Sequence, residues 1–196
     1  AGTSDYEDFF RSGVSTAETL SRALEISHDD VVLEIGCGVG RVGMFLSPRC
    51  RKWIGCDISR RMLAYAAENL GFLDNVELRE LSSCRLDGIA DNSVDKLYCS
   101  TVFMHLDEWD RFSYVSEACR VLRQGGRCYF DNVNLAGTGG WQVFSGIAEI
   151  DSAQRSPAVS KTSTGEELET YLKMGGFRVL EIRREALYVS VIGQKL

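Results

Sequence analysis

The sequence predicts an α/β fold: a doubly wound, mainly parallel seven-stranded sheet with helices on both faces and a C-terminal antiparallel hairpin. Three observations predict it. Short apolar runs alternate with amphipathic segments along the 196 residues, which is the pattern of repeated strand–helix crossovers. The first run, "VVLEI" at 31–35, opens directly into glycines at Gly36, Gly38 and Gly40. The stretch "FRVLEIRREALYVSVIGQ" divides around Arg184 and Glu185 into two alternating runs, which read as a hairpin.

The elements follow in order. "AETLSRALEI" places Leu20, Ala23 and Leu24 on one helical face. "VVLEI" is a buried strand, and "RVGMFLSP" begins a helix that Pro48 ends. "KWIGCDIS" is the second strand. "RRMLAYAAENLG" is a helix with Met62, Leu63, Ala66 and Leu70 on its apolar face. "VELREL" and "VDKLYCSTV" are the third and fourth strands. "EWDRFSYVSEACRVLR" is a helix stopped by "QGG", and "RCYFDNVNL" is the fifth strand. "GEELETYLKMGG" is a helix before the hairpin. Residues 136–163 are rich in Gly and Ser and have little periodicity; they read as a long substrate-side loop with room for one short helix. Residues 1–14 read as a lid-like segment, "DYEDFFRSG" being amphipathic. No linker divides the chain, so 1–196 is expected to be a single domain.

Composition narrows the class. Hydrophobic residues make up 44% and charged residues 26%, a globular balance. No apolar run approaches the ~20 residues that span a bilayer, so no membrane partner is expected. The acidic opening "AGTSDYEDFF" is neither a signal nor a transit peptide. The chain opens on Ala1 without an initiator methionine, consistent with native residues preceding it. The net charge of −6 argues against a nucleic-acid partner, which would call for a basic stripe. The densest basic run, "SPRCRKWIG", leads into an apolar strand. Seven cysteines without a CxxC pair, and only two histidines, argue against zinc and for reduced thiols in a cytoplasmic protein. The oligomeric state is not legible.

The glycines lie where a first strand turns towards a helix, the turn that faces the ligand crevice of a doubly wound sheet. Residues without Cβ let the backbone approach a ligand and reach positive φ, and a helix start offers N–H groups. Dinucleotide spacing, GxGxxG, needs a small residue at 41, where Arg41 stands. No GxxxxGK[ST] occurs. Asp57, at the end of the second strand, is placed to accept ribose hydroxyls.

With these two motifs, "LEIGCGVGR" and "GCDISRRMLAYA", the chain resembles the class I S-adenosylmethionine-dependent methyltransferases. The order of elements from about Ser15 to Leu196 resembles theirs as well. The resemblance implies that Gly36, Cys37 and Gly38 line the methionine portion of the cofactor and that Arg41 meets its carboxylate. It implies that Asp57 holds the ribose while Ile58 and Met62 flank the adenine; Met62 would equally be buried on its helix's core face. Glu34, Gly40 and Ser100 complete the implied cofactor shell. Where the family often has an acid followed by a small residue near the adenine, this chain has Ser82 and Ser83.

The chemistry is expected past the ends of strands four and five. His105 resembles a family position that faces the substrate, where an imidazole can act as a base; a capping or packing role is equally open. Asp131 and Asn132 end strand five and could orient a hydroxyl or amine, or serve turn chemistry. "DNV" resembles the metal-ligand pair of catechol-type O-methyltransferases, but those need an acid where Ser100 stands, so no metal is expected. Tyr6, Phe10 and Trp141 are candidate substrate contacts. The implied function is methyl transfer from S-adenosylmethionine to an oxygen or nitrogen of a small molecule. A protein N-terminal methyltransferase, a non-catalytic cofactor-binding protein and an NAD-dependent oxidoreductase remain alternatives.

Overall fold

The structure is a computed structural model that describes residues 3–196, with side chains described from Arg11 onward. Strands β1 (Val31–Ile35), β2 (Lys52–Asp57), β3 (Val76–Glu80), β4 (Val94–Cys99), β5 (Leu122–Asn134), β7 (Phe177–Arg184) and β8 (Tyr188–Lys195) form one sheet in the order β3-β2-β1-β4-β5-β8-β7. The pairs from β3 to β5 are parallel, and β8 is antiparallel to both β5 and β7. A two-residue strand, β6 (Thr162–Ser163), pairs in parallel with Val133 and Asn134. It therefore extends the predicted seven-stranded path beyond the end of β4, because β8 already occupies the other edge of β5 at Val133.

Helices cover both faces. α1 (Thr3–Leu24), α2 (Gly43–Leu46) and α3 (Arg60–Leu70) close one face, where Ala17, Leu20 and Leu24 pack with Val32, Leu46, Trp53 and Leu70. α4 (Glu108–Val121) and α6 (Gly165–Met174) close the other, where Val115, Ala118, Leu168 and Leu172 meet Leu33, Leu97 and Phe130. Three helix starts are fixed by side chains that accept the N–H three residues on: Ser59 from Met62, Asp107 from Asp110 and Thr164 from Glu167.

Three elements differ from expectation. α2 is a single turn followed by a 3-10 turn at Ser47–Arg49, so the glycine loop does not feed a long helix. "QGG" does not stop α4; it lies inside β5, where the register against β4 shifts between Val94 and Lys96 and the extra β5 residues bulge out at Gly125, φ +77°. The Gly- and Ser-rich stretch carries an eleven-residue helix, α5 (Thr138–Ala148). Close packing requires glycine at its start: a Cβ on Gly140 would stand 1.8 Å from the Asn134 carbonyl.

Candidate cofactor and acceptor site

The glycine loop takes its shape from three left-handed residues, Gly36 at φ +74°, Gly38 at +55° and Gly40 at +81°. Their surroundings differ. A Cβ on Gly36 would stand 2.3 Å from Val102, and one on Gly40 would stand 2.7 Å from Leu70. A Cβ on Gly38 would meet nothing within 4 Å. Gly36 and Gly40 thus serve packing, and Gly38 alone faces open space. The loop's N–H groups are largely committed within the protein: Gly36 and Cys37 donate to the Cys56 carbonyl at 2.8 and 2.9 Å, and Gly40 donates to the Cys37 carbonyl at 3.0 Å. Shape at Gly38, rather than a helix N-terminus, is what this loop offers a ligand.

Asp57 fixes the loop from the neighbouring strand. Its Oδ2 accepts the Gly38 N–H at 2.8 Å and its Oδ1 accepts the Ser59 N–H at 2.8 Å. A carboxylate has about four acceptor positions, so two remain for a ligand. Beside it lies a cavity of about 380 Å³ walled by Ile58, Leu81, Val102, Leu106 and Tyr114, with His105 at its rim. Ile58 is 67% exposed, an apolar side chain that a flat ring would cover.

Beneath the loop, the buried Glu34 carboxyl group accepts the Tyr98 hydroxyl, which accepts the Trp53 indole N–H at 3.0 Å. Burial pushes the Glu34 carboxyl up to about 8, against the opposing pull of the Tyr98 hydrogen bond and the Arg41 charge. Glu34, Gly38, Arg41 and Ser100 line a second cavity of about 220 Å³. Arg41 reaches back to α1, where its guanidinium donates to Ser12 at 3.2 Å and Thr16 at 3.4 Å.

The third cavity, about 230 Å³, lies between α1, the tip of β4 and the β7–β8 hairpin. Thr19, Arg41, Tyr129, Asp131, Glu185 and Tyr188 face it. Asp131 is buried; its Oδ2 accepts the Ser100 hydroxyl at 2.6 Å and its Oδ1 accepts the Thr101 N–H at 2.7 Å. Burial raises its carboxyl above the usual range despite these bonds. Thr101 sits at φ +60°, a conformation that costs a β-branched residue roughly 1–3 kcal/mol. Hydrogen bonds to a charged group are worth about 1.5–3 kcal/mol each, so the Asp131 contacts outweigh that strain. Thr101 lines all three cavities, so they meet at this residue.

The structure brings Glu34, Gly36, Cys37, Gly38, Arg41, Asp57, Ile58, Ser100, His105 and Asp131 onto this connected trough. It separates His105 from Asp131: the histidine lines the Asp57 cavity, and Asp131 lines the third. It places other candidates elsewhere. Gly40 lies under Leu70. Ser82 and Ser83 are exposed and line none of the three cavities; Leu81, whose N–H donates to the Asp57 carbonyl at 2.9 Å, takes their place. Met62 lies on α3, 37% exposed and outside the trough. Asn132 is fully buried, its amide donating to Ser163 at 2.7 Å, because the pleat turns it away from Asp131's face. Trp141 projects from α5, half exposed and stacked near Phe144 at 5.5 Å, away from the chamber. The side chains of Tyr6 and Phe10 lie outside the described residues. Sequence reasoning missed Leu81, Thr101, Val102 and Leu106; the only signal was their position just past the ends of strands three and four.

A glycine loop, an acid on the next strand and a crevice at the carboxyl ends of β1 and β4 define a cofactor-binding doubly wound fold. Residues 32–126 match the family described as "Methyltransferase domain". Curated relatives include Methyltransferase GfsG of Streptomyces halstedii, 29% identical over 69% of this chain and 49% of that protein. Thiol S-methyltransferase TMT1A of Homo sapiens is 30% identical over 58% of this chain and 46% of that protein. Other relatives are named as O- and N-methyltransferases. The chain spans about half the length of the first of these relatives. Among solved structures, a SAM dependent methyltransferase from Aquifex aeolicus superimposes with a TM-score of 0.72 at 19% identity, covering 95% of this chain and 93% of that one. Magnesium protoporphyrin IX methyltransferase from Synechocystis PCC 6803, solved with bound SAH, superimposes with a TM-score of 0.72 at 17% identity over 95% of this chain and 83% of that one. Residues 32–126 thus carry the match to a methyltransferase domain, and the chain shares the fold of S-adenosylmethionine-dependent methyltransferases.

Proposed function

We propose that this domain transfers the methyl group of S-adenosylmethionine to an oxygen or nitrogen of a small-molecule acceptor. One observation carries the reading: three cavities of different chemistry meet at Thr101. When bound, S-adenosylmethionine supplies an electrophilic methyl group. The residues fit it. Asp57 keeps free acceptor positions for ribose hydroxyls, and Ile58, Leu81 and Leu106 offer apolar cover for a base. Gly38 leaves the backbone open where a side chain would intrude, and Arg41 presents a guanidinium to a carboxylate.

The third cavity receives the acceptor. Its walls carry hydroxyls from Thr19, Tyr129 and Tyr188 and a carboxylate from Glu185, which supports a polar acceptor atom over a thiol or carbon nucleophile. Holding acceptor and methyl in line is the main contribution asked of the protein, since orientation alone can supply much of such a barrier reduction. The net charge of −6 and the free cysteines support a partner other than nucleic acid and a reducing, cytoplasmic setting.

The test is calorimetry with S-adenosylmethionine and NAD, followed by transfer of radiolabelled methyl across a panel of hydroxyl, amine and thiol acceptors. Binding of S-adenosylmethionine but not NAD, with label on a hydroxyl or amine compound, is the expected result. Transfer only to thiols would overturn the acceptor assignment.

A further inference from the structure

We propose that Asp131 is a positioning residue, whose carboxylate holds Thr101 in the left-handed conformation that shapes the junction of the three cavities, and that it does not take a proton from the acceptor. The proposal rests on the methyl-transfer reading of this site.

Thr101 is an unusual occupant of positive φ. Glycine or asparagine ordinarily takes such a place, because a branched Cβ crowds the backbone there. A strained residue persists only where its surroundings over-determine it, and here they do. The last β4–β5 pair is Cys99 with Phe130, so Asp131 stands one step beyond the end of β4. From there its carboxylate reaches across and accepts from two successive residues of the β4 tip, the Ser100 hydroxyl and the Thr101 N–H. The Thr101 hydroxyl in turn donates to the Ser100 carbonyl at 2.6 Å, which fixes its side chain as well.

The same contacts argue against proton abstraction. A general base needs a lone pair aimed at the acceptor. Each Asp131 oxygen is already held by the β4 tip, and although the residue lines the chamber it is only 5% exposed there. Thr101 lines the chamber beside it, at the one point common to all three cavities.

Three variants decide the matter. D131N keeps a carbonyl oxygen for the Thr101 N–H and cannot accept a proton. D131A removes both contacts. Adding T101G to D131A supplies a residue that adopts positive φ without strain. The readouts are S-adenosylhomocysteine affinity by calorimetry, methyl-transfer rate, and φ at residue 101 in crystal structures of the variants without ligand. We expect D131N to lose less than about tenfold in rate, whereas loss of a general base costs ~10²–10⁴-fold. D131A should lose about tenfold or more in both affinity and rate, with residue 101 leaving positive φ, and T101G should restore most of each loss. A loss of tenfold or more in D131N, residue 101 unmoved in D131A, or no recovery with T101G would overturn the clamp. If D131A does not fold, D131N still decides. A parent that binds no S-adenosylhomocysteine would instead overturn the methyl-transfer reading, and the φ comparison would still judge the clamp.

Discussion

Asp57 holds Gly38: the carboxylate at the end of β2 accepts the N–H of the one loop glycine that faces open space, at 2.8 Å. The residue that should bind the ribose is therefore also the residue that sets the loop over which the rest of the cofactor passes. Asp57→Ala removes both functions. Cofactor affinity should fall by at least about tenfold, since each charge-assisted bond is worth ~1.5–3 kcal/mol. Asp57→Asn, which keeps one carbonyl oxygen, should lose less. Calorimetry with S-adenosylmethionine checks both, and equal affinity for parent and Asp57→Ala would remove Asp57 from the site.

Gly38→Val and Gly36→Ala should separate binding from folding. Gly38 has no protein neighbour within 4 Å of a new Cβ, so the main cost of Gly38→Val is the backbone strain of positive φ, about 1–3 kcal/mol, while it fills the cofactor's path. Gly36→Ala drives a methyl to 2.3 Å from Val102 and should lower Tm further than strain alone. Thermal melts alongside calorimetry distinguish the two, and normal binding by Gly38→Val would refute the role assigned to the loop.

Glu34 makes stability fall in alkali. Its folded-state carboxyl lies at about 8 against 4.5 unperturbed, so the fold prefers the neutral form. That contribution is fully present below about pH 4.5 and is lost as pH rises through about 8. At roughly 1.4 kcal/mol per pKa unit the loss is at most several kcal/mol, or roughly 10 °C in Tm for a domain of this size. Glu34→Gln has no charge to bury, and its Tm should decline less between pH 5 and 9. Parallel pH profiles of parent and variant would contradict the assignment.

His105→Ala should act on the cofactor rather than the acceptor. The side chain rims the cavity of Asp57 and Ile58, so its loss should raise the cofactor's Kd a few-fold and leave the acceptor's KM unchanged. A drop of ~10²-fold in kcat with an unaltered cofactor Kd would instead mark it as a general base.

Arg111 ties the site's wall at Phe103 to β6 and the first turn of α6. Buried to 4% exposure, it donates to the Phe103 carbonyl at 3.0 Å and to Ser163 at 2.9 Å, and it pairs with Glu167 at 3.1 Å. Arg111→Leu removes these bonds from a buried site. Stability should fall by about 2–4 kcal/mol, a Tm decrease of roughly 5–15 °C. An unchanged melt would show that the network carries little.

The parts legible in the sequence are those whose cause is local. Alternating glycines before an acid-tipped second strand announce the crevice, and period-2 and period-3.6 patterns announce most strands and helices. What stayed hidden depends on long-range contacts. Nothing in "CSTVF" signals that Thr101 takes positive φ, because the cause lies thirty residues on, at Asp131. "QGG" carries the chemistry of a helix stop, and only pairing with β4 makes it a bulge. Asp131 and Asn132 look equivalent as neighbours, yet the pleat sends one to the chamber and the other to Ser163. α5 has weak helix-forming composition, and its Gly139 and Gly140 are selected by contact with the hairpin turn and Asn134.

β8 lies between β5 and β7 although the chain makes β7 first, and this sets an order of assembly. The two strands are joined by a short turn and can pair within microseconds, whereas β5 and β8 must find each other across roughly 60 residues. The hairpin therefore docks as a unit, and late. The cavity at Asp57 is built from residues between Gly36 and Tyr114, and the acceptor chamber needs Tyr188 and Ser190 from β8. A chain with the hairpin undocked would still cradle the nucleoside and would have nowhere to seat an acceptor. Hydrogen exchange that opens β7 and β8 before β1 and β4 would be the trace of that intermediate.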